Sequence, residues 1–116
     1  MAVSDEQIGP VLIELLTAEE REGAAVYAAD KPIPAGTVLH FARTTIEAPW
    51  DSLLFFVDRD PWANWTHSCR YLLISRKTGE AKSFEAQTPP FGQEGLNWRV
   101  VYRAASVPEA VVPKPQ

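Results

Sequence analysis

The order of the periodic segments constrains the fold of this chain more than any other feature. Apolar residues recur at helical spacing near the N-terminus, at Ile8, Val11, Leu12, Leu15 and Leu16. A proline-rich turn at residues 30–36 follows, and short β-rich runs then cover residues 37–45, 53–58, 69–75, 80–87 and 97–105. Because no helical segment separates these runs, parallel crossover connections are not expected. We therefore expect an α+β fold in which one N-terminal helix packs on an antiparallel sheet of about five strands.

The ends of the predicted helix are marked by cap and breaker residues. Gly9-Pro10 removes a backbone donor inside the apolar stripe, so the helix either starts there or is kinked. Thr17 and Glu20 have capping-box spacing and could begin a second short helix, while Gly23 is a typical C-terminal stop. We favour a single helix, because the chain runs from this region directly into the proline-rich turn.

The length of the chain fits a single domain. With 116 residues, of which 46% are hydrophobic, it is long enough to bury one core. We expect residues 1–105 to form one globular domain and residues 106–116 to form a flexible, proline-rich tail. Cys69 is the one cysteine, which excludes an internal disulfide.

The charge of the chain narrows the range of partners. The net charge is −4, which argues against sequence-independent binding of nucleic acid, since such binding needs an excess of Lys and Arg. The acids are concentrated in residues 1–30, which hold seven of them against Arg21. The longest apolar run, residues 53–57, is too short to cross a bilayer, and no signal segment is evident. We expect a cytoplasmic protein without a membrane partner.

The stretch DRDPWANWTHSCRY, residues 58–71, holds most of the residues that could carry chemistry. His67 and Cys69 lie two positions apart, but a structural zinc site needs four ligands and the chain has no second cysteine. The opening of the stretch resembles a calcium loop, yet Ala63 replaces the turn glycine and Cys69 replaces the bidentate Glu. A cysteine nucleophile would need His67 or His40 as its base. We expect no metal, no cofactor and no catalytic residue here.

The same stretch is well suited to connect two central strands. Asp58-Arg59-Asp60-Pro61 is typical of a strand end, and Arg70 at the start of the next strand could form an ion pair with Asp58 or Asp60. Loops at strand ends often make contacts with partners. The candidate binding residues are Trp50, Asp58, Trp62, Trp65, His67 and Arg70.

The hairpin YLLISRKTGEAKSFEA, residues 71–86, resembles the one that ends PepSY-type domains. The likeness depends on an apolar strand followed by Thr78-Gly79-Glu80, although Arg76 and Lys77 replace the usual acidic residue before the turn. It implies a helix packed on an antiparallel sheet and a role in peptidase inhibition or as a propeptide. It assigns no functional residue.

Two functions follow from these observations. The first is a small, non-catalytic module that binds another protein through exposed tryptophans, with a peptidase inhibitor or propeptide-like regulator as its narrower form. The alternative is a small-molecule-binding domain or small enzyme with a pocket near Asp58, His67 and Arg70. The identity of the partner and the oligomeric state do not follow from the sequence.

Overall fold

Two helices, rather than one, occupy the N-terminal region. The computed structural model describes residues 5–61 and 68–107, and its helices are α1 (Asp5–Leu15) and α2 (Ala18–Gly23). Helix α1 continues through Pro10. Thr17 begins α2 with a complete capping box, in which its hydroxyl accepts from the amide of Glu20 and the Glu20 carboxylate accepts from the amide of Thr17. The expectation of a single N-terminal helix is therefore only partly right, because this cap begins a second, short helix.

Within the described residues, seven strands form two antiparallel sheets. The large sheet has the order β6-β5-β4-β1-β7, and the small one pairs β2 with β3. The strands are β1 (Ala25–Ala29), β2 (Val38–Phe41), β3 (Thr44–Glu47), β4 (Ser52–Asp58), β5 (Cys69–Ser75), β6 (Ala81–Ala86) and β7 (Trp98–Arg103). The expected α+β class with a five-stranded antiparallel sheet is confirmed. The second sheet was not expected.

The small sheet arises within the run that was expected to be one strand. Residues 37–45 fold back on themselves at Ala42, whose φ of 50° is left-handed, so β2 and β3 form a hairpin. Alanine does not favour this conformation, and the sequence therefore gave no signal for a turn.

Strand β1 lies inside the large sheet, between β4 and β7, although the sequence did not predict it. Its segment AVYAA is buried on both faces, so it lacks the alternation that marks a half-exposed strand. The pairing of β1 with β7 shifts register between Val26 and Tyr27. Val26 pairs with Tyr102 and Tyr27 pairs with Val100, so Val101 is an extra residue of β7 at this point. This extra residue interrupts the two-residue alternation of side chains along β7.

The large sheet is covered on both faces. On the helical face, Leu12 of α1 and Leu16, the residue after α1, pack against alternate residues of β1, β4 and β5. The opposite face packs under the β2–β3 hairpin and carries an aromatic cluster that consists of Tyr27, Phe41, Phe56, Tyr71, Phe91 and Trp98. Successive residues of a strand point to opposite faces, so each side chain of these strands belongs either to the helical face or to the aromatic face.

The packed part of the chain passes the boundary that was expected at residue 105. The Ser106 hydroxyl donates to the carbonyl of Glu22, and Val107 is buried. Residues 108–116, which make up most of the predicted tail, lie outside the described residues. Neither described helix has the length and apolar character needed to cross a bilayer.

Candidate functional site

The stretch 58–71 divides between the two faces of the sheet. Asp58 pairs with Cys69 across β4 and β5, whereas Arg70 pairs with Val57. Since neighbouring residues of a strand point to opposite faces, Arg70 lies on the helical face and Asp58 on the aromatic face. These two residues therefore cannot converge on one pocket. Trp62, Trp65 and His67 lie outside the described residues.

Trp50 is separated from both of these residues. It precedes β4, at the opposite end of that seven-residue strand from Asp58. Its side chain is half-buried and packs against the core of the aromatic face. The candidate binding residues that the structure describes thus do not form one surface.

Arg70 forms its ion pair with Glu20 of α2, not with Asp58 or Asp60 as expected. Its Nε lies 3.0 Å from Glu20 Oε2 and its Nη2 lies 2.9 Å from Oε1, which makes the pair bidentate. The guanidinium also donates to the carbonyl of Leu15 and to the hydroxyl of Ser83. The ion pair therefore attaches the junction of the two helices to the sheet.

Arg59 extends this pair into a network of four charged residues. Its Nε lies 2.8 Å from Glu20 Oε2, and its two terminal nitrogens lie 2.6 and 2.9 Å from the carboxylate oxygens of Glu85 on β6. It also donates to the hydroxyl of Ser68. We call Glu20, Arg59, Arg70 and Glu85 the ion network.

The protonation of the network is set by these contacts. Burial by itself raises the pKa of Glu20, but hydrogen bonds from the Thr17 amide, Arg70 and Arg59 outweigh it and hold the pKa below its ordinary value. The hydrogen bonds from Arg59 lower the pKa of Glu85. Both carboxylates are therefore charged at neutral pH, and their lone pairs are engaged by donors of the protein. Such a network positions structural elements; it is poorly suited to proton transfer or nucleophilic attack.

Cys69 is not placed to act as a nucleophile. Its side chain is completely buried on the aromatic face. Burial raises the pKa of its thiol to about 12, and the nearby charge of Asp58 adds to this effect. Among residues 5–61 and 68–107, no three His, Cys, Asp or Glu side chains are grouped as a metal site requires.

A surface that the sequence did not predict lies at the other side of the sheet. Strand β7 is an edge strand, and a groove of about 270 Å³ runs beside it on the helical face. Most of the side chains that line the groove are apolar, among them Leu12, Ile13, Ala28, Leu53 and Val101, whereas Arg99 and Tyr102 add polar groups. Because β1 was not recognised, the sequence could not reveal that β7 lies at an edge.

The backbone of β7 offers hydrogen-bonding groups at this edge. The amide of Asp30 donates to the carbonyl of Asn97 at 2.9 Å, which places Asn97 at an inward-bonding position. Bonding alternates along an antiparallel pair, so Arg99 bonds inward and the amide and carbonyl of Val100 point away from β1. The side chain of Val100 is 40% exposed. Backbone polar groups at the edge and the neighbouring groove form the candidate site.

Compared with known protein families, with curated proteins and with solved structures, this chain matches none of them.

Proposed function

We propose that this protein is a non-catalytic binding module that takes up an extended segment of another protein as an additional strand beside β7. The observation that carries the proposal is the edge position of β7 among the described strands, where the amide and carbonyl of Val100 point away from β1 beside a largely apolar groove. Adding a strand to an edge is a recurrent mode of peptide recognition, in which the backbone supplies affinity and pockets for alternate side chains supply specificity.

The polar residues of the domain support a binding role over a catalytic one. The ion network has its donors and acceptors matched within the protein, and the thiol of Cys69 is buried with a raised pKa. The groove, at about 270 Å³, lies below the range of roughly 300–1,000 Å³ typical of small-molecule sites. It is better suited to one or two side chains of a bound segment.

The likeness of residues 71–86 to PepSY-type modules adds a narrower proposal about the partner. If the likeness extends to function, the bound protein is a peptidase or its precursor, and this module inhibits or regulates it. The β5–β6 hairpin that carries the likeness lies at the opposite edge of the sheet from β7, so it supports the fold around the site without contributing to the site itself.

Hydrogen exchange on a selected peptide tests the proposal. Peptides are first selected from a phage-displayed library of random twelve-residue sequences on the immobilised protein. A synthetic copy of a selected peptide is then added to the isotopically labelled protein, and amide exchange is followed by NMR. We expect exchange of the Val100 amide to slow at least tenfold, because a new strand would accept a hydrogen bond from it.

Two proline variants provide the matched control. Val100→Pro removes the outward-pointing donor and is expected to weaken peptide binding at least tenfold. Val38→Pro alters an exposed valine of β2, 44% exposed against 40% for Val100, and is expected to leave binding unchanged. Chemical denaturation of both variants establishes that they are folded. Selection of no peptide, or of peptides that leave Val100 exchange unaltered, would refute the proposal.

A further inference from the structure

The side chains of β7 limit what the bound segment can contain. Arg99 and Arg103 are exposed, and the strand WRVVYR carries no acidic residue. In the described part of the chain, Arg99 forms no ion pair. A net charge of −4 on the whole protein makes this cationic edge a local exception. An acidic side chain on a bound strand would meet Arg99 across the new pairing, where opposite charges stabilise and like charges destabilise.

The groove supplies a second requirement on the same face. Arg99 and Val101 both belong to its wall, and apolar residues of α1, β1 and β4 complete it. An added strand would lie on the outer side of β7, so the side chains of β7 would stand between that strand and the groove. A short side chain on the added strand would therefore not reach the groove. Long side chains reach diagonal neighbours about 7–8 Å away, which makes Phe, Met or Leu the suitable occupant.

A second copy of this chain does not meet these requirements. Antiparallel pairing of two β7 strands would bring both arginines of each copy into one short ladder, with like charges opposite or diagonal to one another. Arg99 of one copy would then lie opposite Val101 or an arginine of the other copy, so the second copy would offer Arg99 no carboxylate. The edge is therefore complementary to a different protein.

We infer that the segment recognised at β7 carries a long apolar residue and, two positions away, an acidic residue. Residues two apart leave the same face of a strand, so the apolar side chain enters the groove while the carboxylate lies at Arg99. This inference rests on the proposed function, since it specifies the side chains of the strand that β7 would bind.

Synthetic peptides that differ at these two positions test the inference. The parent is a nine-residue peptide of alternating Thr and Val with a central Phe and, two positions on, a Glu. In one derivative Lys replaces the Glu, and in another Ala replaces the Phe. Titration at low salt is expected to show the parent binding at least fivefold more tightly than either derivative, the size expected for one surface ion pair or one partly buried side chain.

Charge reversal on the protein distinguishes recognition by Arg99 from the general charge of the protein. Arg99→Glu is expected to weaken binding of the Glu peptide and strengthen binding of the Lys peptide, each about fivefold or more. Arg76→Glu makes the same change in the exposed β5–β6 turn, away from β7, and is expected to alter neither affinity. An equal response to both variants would overturn the assignment of Arg99.

Filling the groove tests the apolar requirement. Gly9 lines the groove, and a Cβ placed there meets no atom within 4 Å, so Gly9→Leu can occupy the space without displacing the fold. It should weaken the Phe peptide at least fivefold but not the Ala peptide. Gly23→Leu, at the end of α2, is equally unobstructed and serves as the control.

The outcomes distinguish a failure of this inference from a failure of the proposed function. If peptides slow exchange of the Val100 amide but the Glu, Lys, Phe and Ala versions bind alike, strand addition stands and the sequence preference is wrong. If no peptide slows that exchange, both fail. The arginines and the irregularity of β7 would then serve only to prevent edge-to-edge aggregation.

Discussion

Glu20 has the most demanding environment of the charged residues in the ion network. Its side chain is 2% exposed, yet it stays ionised because Arg59 and Arg70 both donate to it. Bringing a carboxylate out of water is unfavourable by several kcal/mol, and matched hydrogen bonds are needed to offset this cost. The residue also caps α2, so one carboxylate joins a helix start to strand β5 and to the segment after β4.

Neutralising Glu20 should therefore destabilise the protein strongly. Glu20→Gln keeps the shape of the side chain but leaves two guanidinium groups without their shared carboxylate, which corresponds to breaking a buried ion pair and costs about 3–5 kcal/mol. Glu19→Gln, at an exposed position one residue earlier, is the control and should change stability by less than about 0.5 kcal/mol. Urea denaturation at pH 7 measures both. A loss below about 1 kcal/mol for Glu20→Gln would mean that the network contributes little.

The thiol of Cys69 should be unreactive in the folded protein. It is completely buried and its pKa is raised to about 12, so little thiolate exists at neutral pH and reagents cannot reach it. We expect a disulfide reagent to label it at pH 8 only as fast as the protein unfolds, and rapidly in denaturing urea. Fast labelling without urea would indicate an accessible thiol and would reopen the question of a nucleophile.

At the scale of the elements, helix α1 is held by one row of apolar contacts. Leu12 is 2% exposed and packs on the helical face of the sheet, whereas its neighbour Ile13 is 45% exposed. Leu12→Ala should lower the free energy of unfolding by about 2–5 kcal/mol. Ile13→Ala removes a similar amount of side chain and should cost less than about 1 kcal/mol. Chemical denaturation compares them, and equal losses would show that α1 docks on a different face.

Some elements of the fold could be predicted from the sequence and others could not. β5 was predicted at its observed bounds, and β4 and β6 within a residue at each end, because each is a short apolar or alternating run between turn residues. β1 was missed because the alanine-rich segment AVYAA has neither β-branched enrichment nor alternation, and its burial follows from the strands on both sides. The hairpin turn at Ala42 was missed because tertiary context imposes a left-handed alanine.

The candidate site was harder to predict from the sequence than the fold. Arg70 was recognised as a residue that needs an acidic partner, but sequence proximity suggested Asp58 or Asp60. The true partner, Glu20, is fifty positions away along the chain. Its capping-box spacing was visible, yet nothing local indicates that α2 packs its cap against β5. Long-range ion pairs follow from docking of elements, which a local pattern does not determine.

For the whole molecule, the ion network brings together the oppositely charged parts of the sequence. The acid-rich first thirty residues contribute Glu20, while the rest of the chain contributes Arg59 and Arg70. Through these contacts α2, the segment after β4 and the β5–β6 hairpin are fixed to one another. Arg59 and Arg70 lie away from the β7 edge, while α2 also contacts β7, because the Tyr102 hydroxyl donates to the carbonyl of Arg21.

The stability of the whole protein should fall in acid because of this network. Glu20 and Glu85 have pKa values below the ordinary 4.5, and a carboxylate whose pKa is lowered in the folded state stabilises that state only while it is ionised. Their contribution is therefore complete above pH 4.5 and disappears as the pH falls through the lower, folded pKa values. Most of it should come from buried Glu20, because the side chain of Glu85 is 67% exposed and solvent screens its pair.

Urea denaturation between pH 7 and pH 3 measures this effect. The wild type should lose stability below pH 4.5, and Glu20→Gln, which cannot release or bind that proton, should show a shallower decline. Glu80→Gln, at an exposed position in the β5–β6 turn, should decline as steeply as the wild type. A decline of equal steepness in all three proteins would assign the acid sensitivity to other carboxylates, such as Asp30, whose pKa the Asn97 amide lowers. A shallower decline in Glu20→Gln alone would identify the buried carboxylate between the two arginines as the group whose ionisation holds the helices on the sheet.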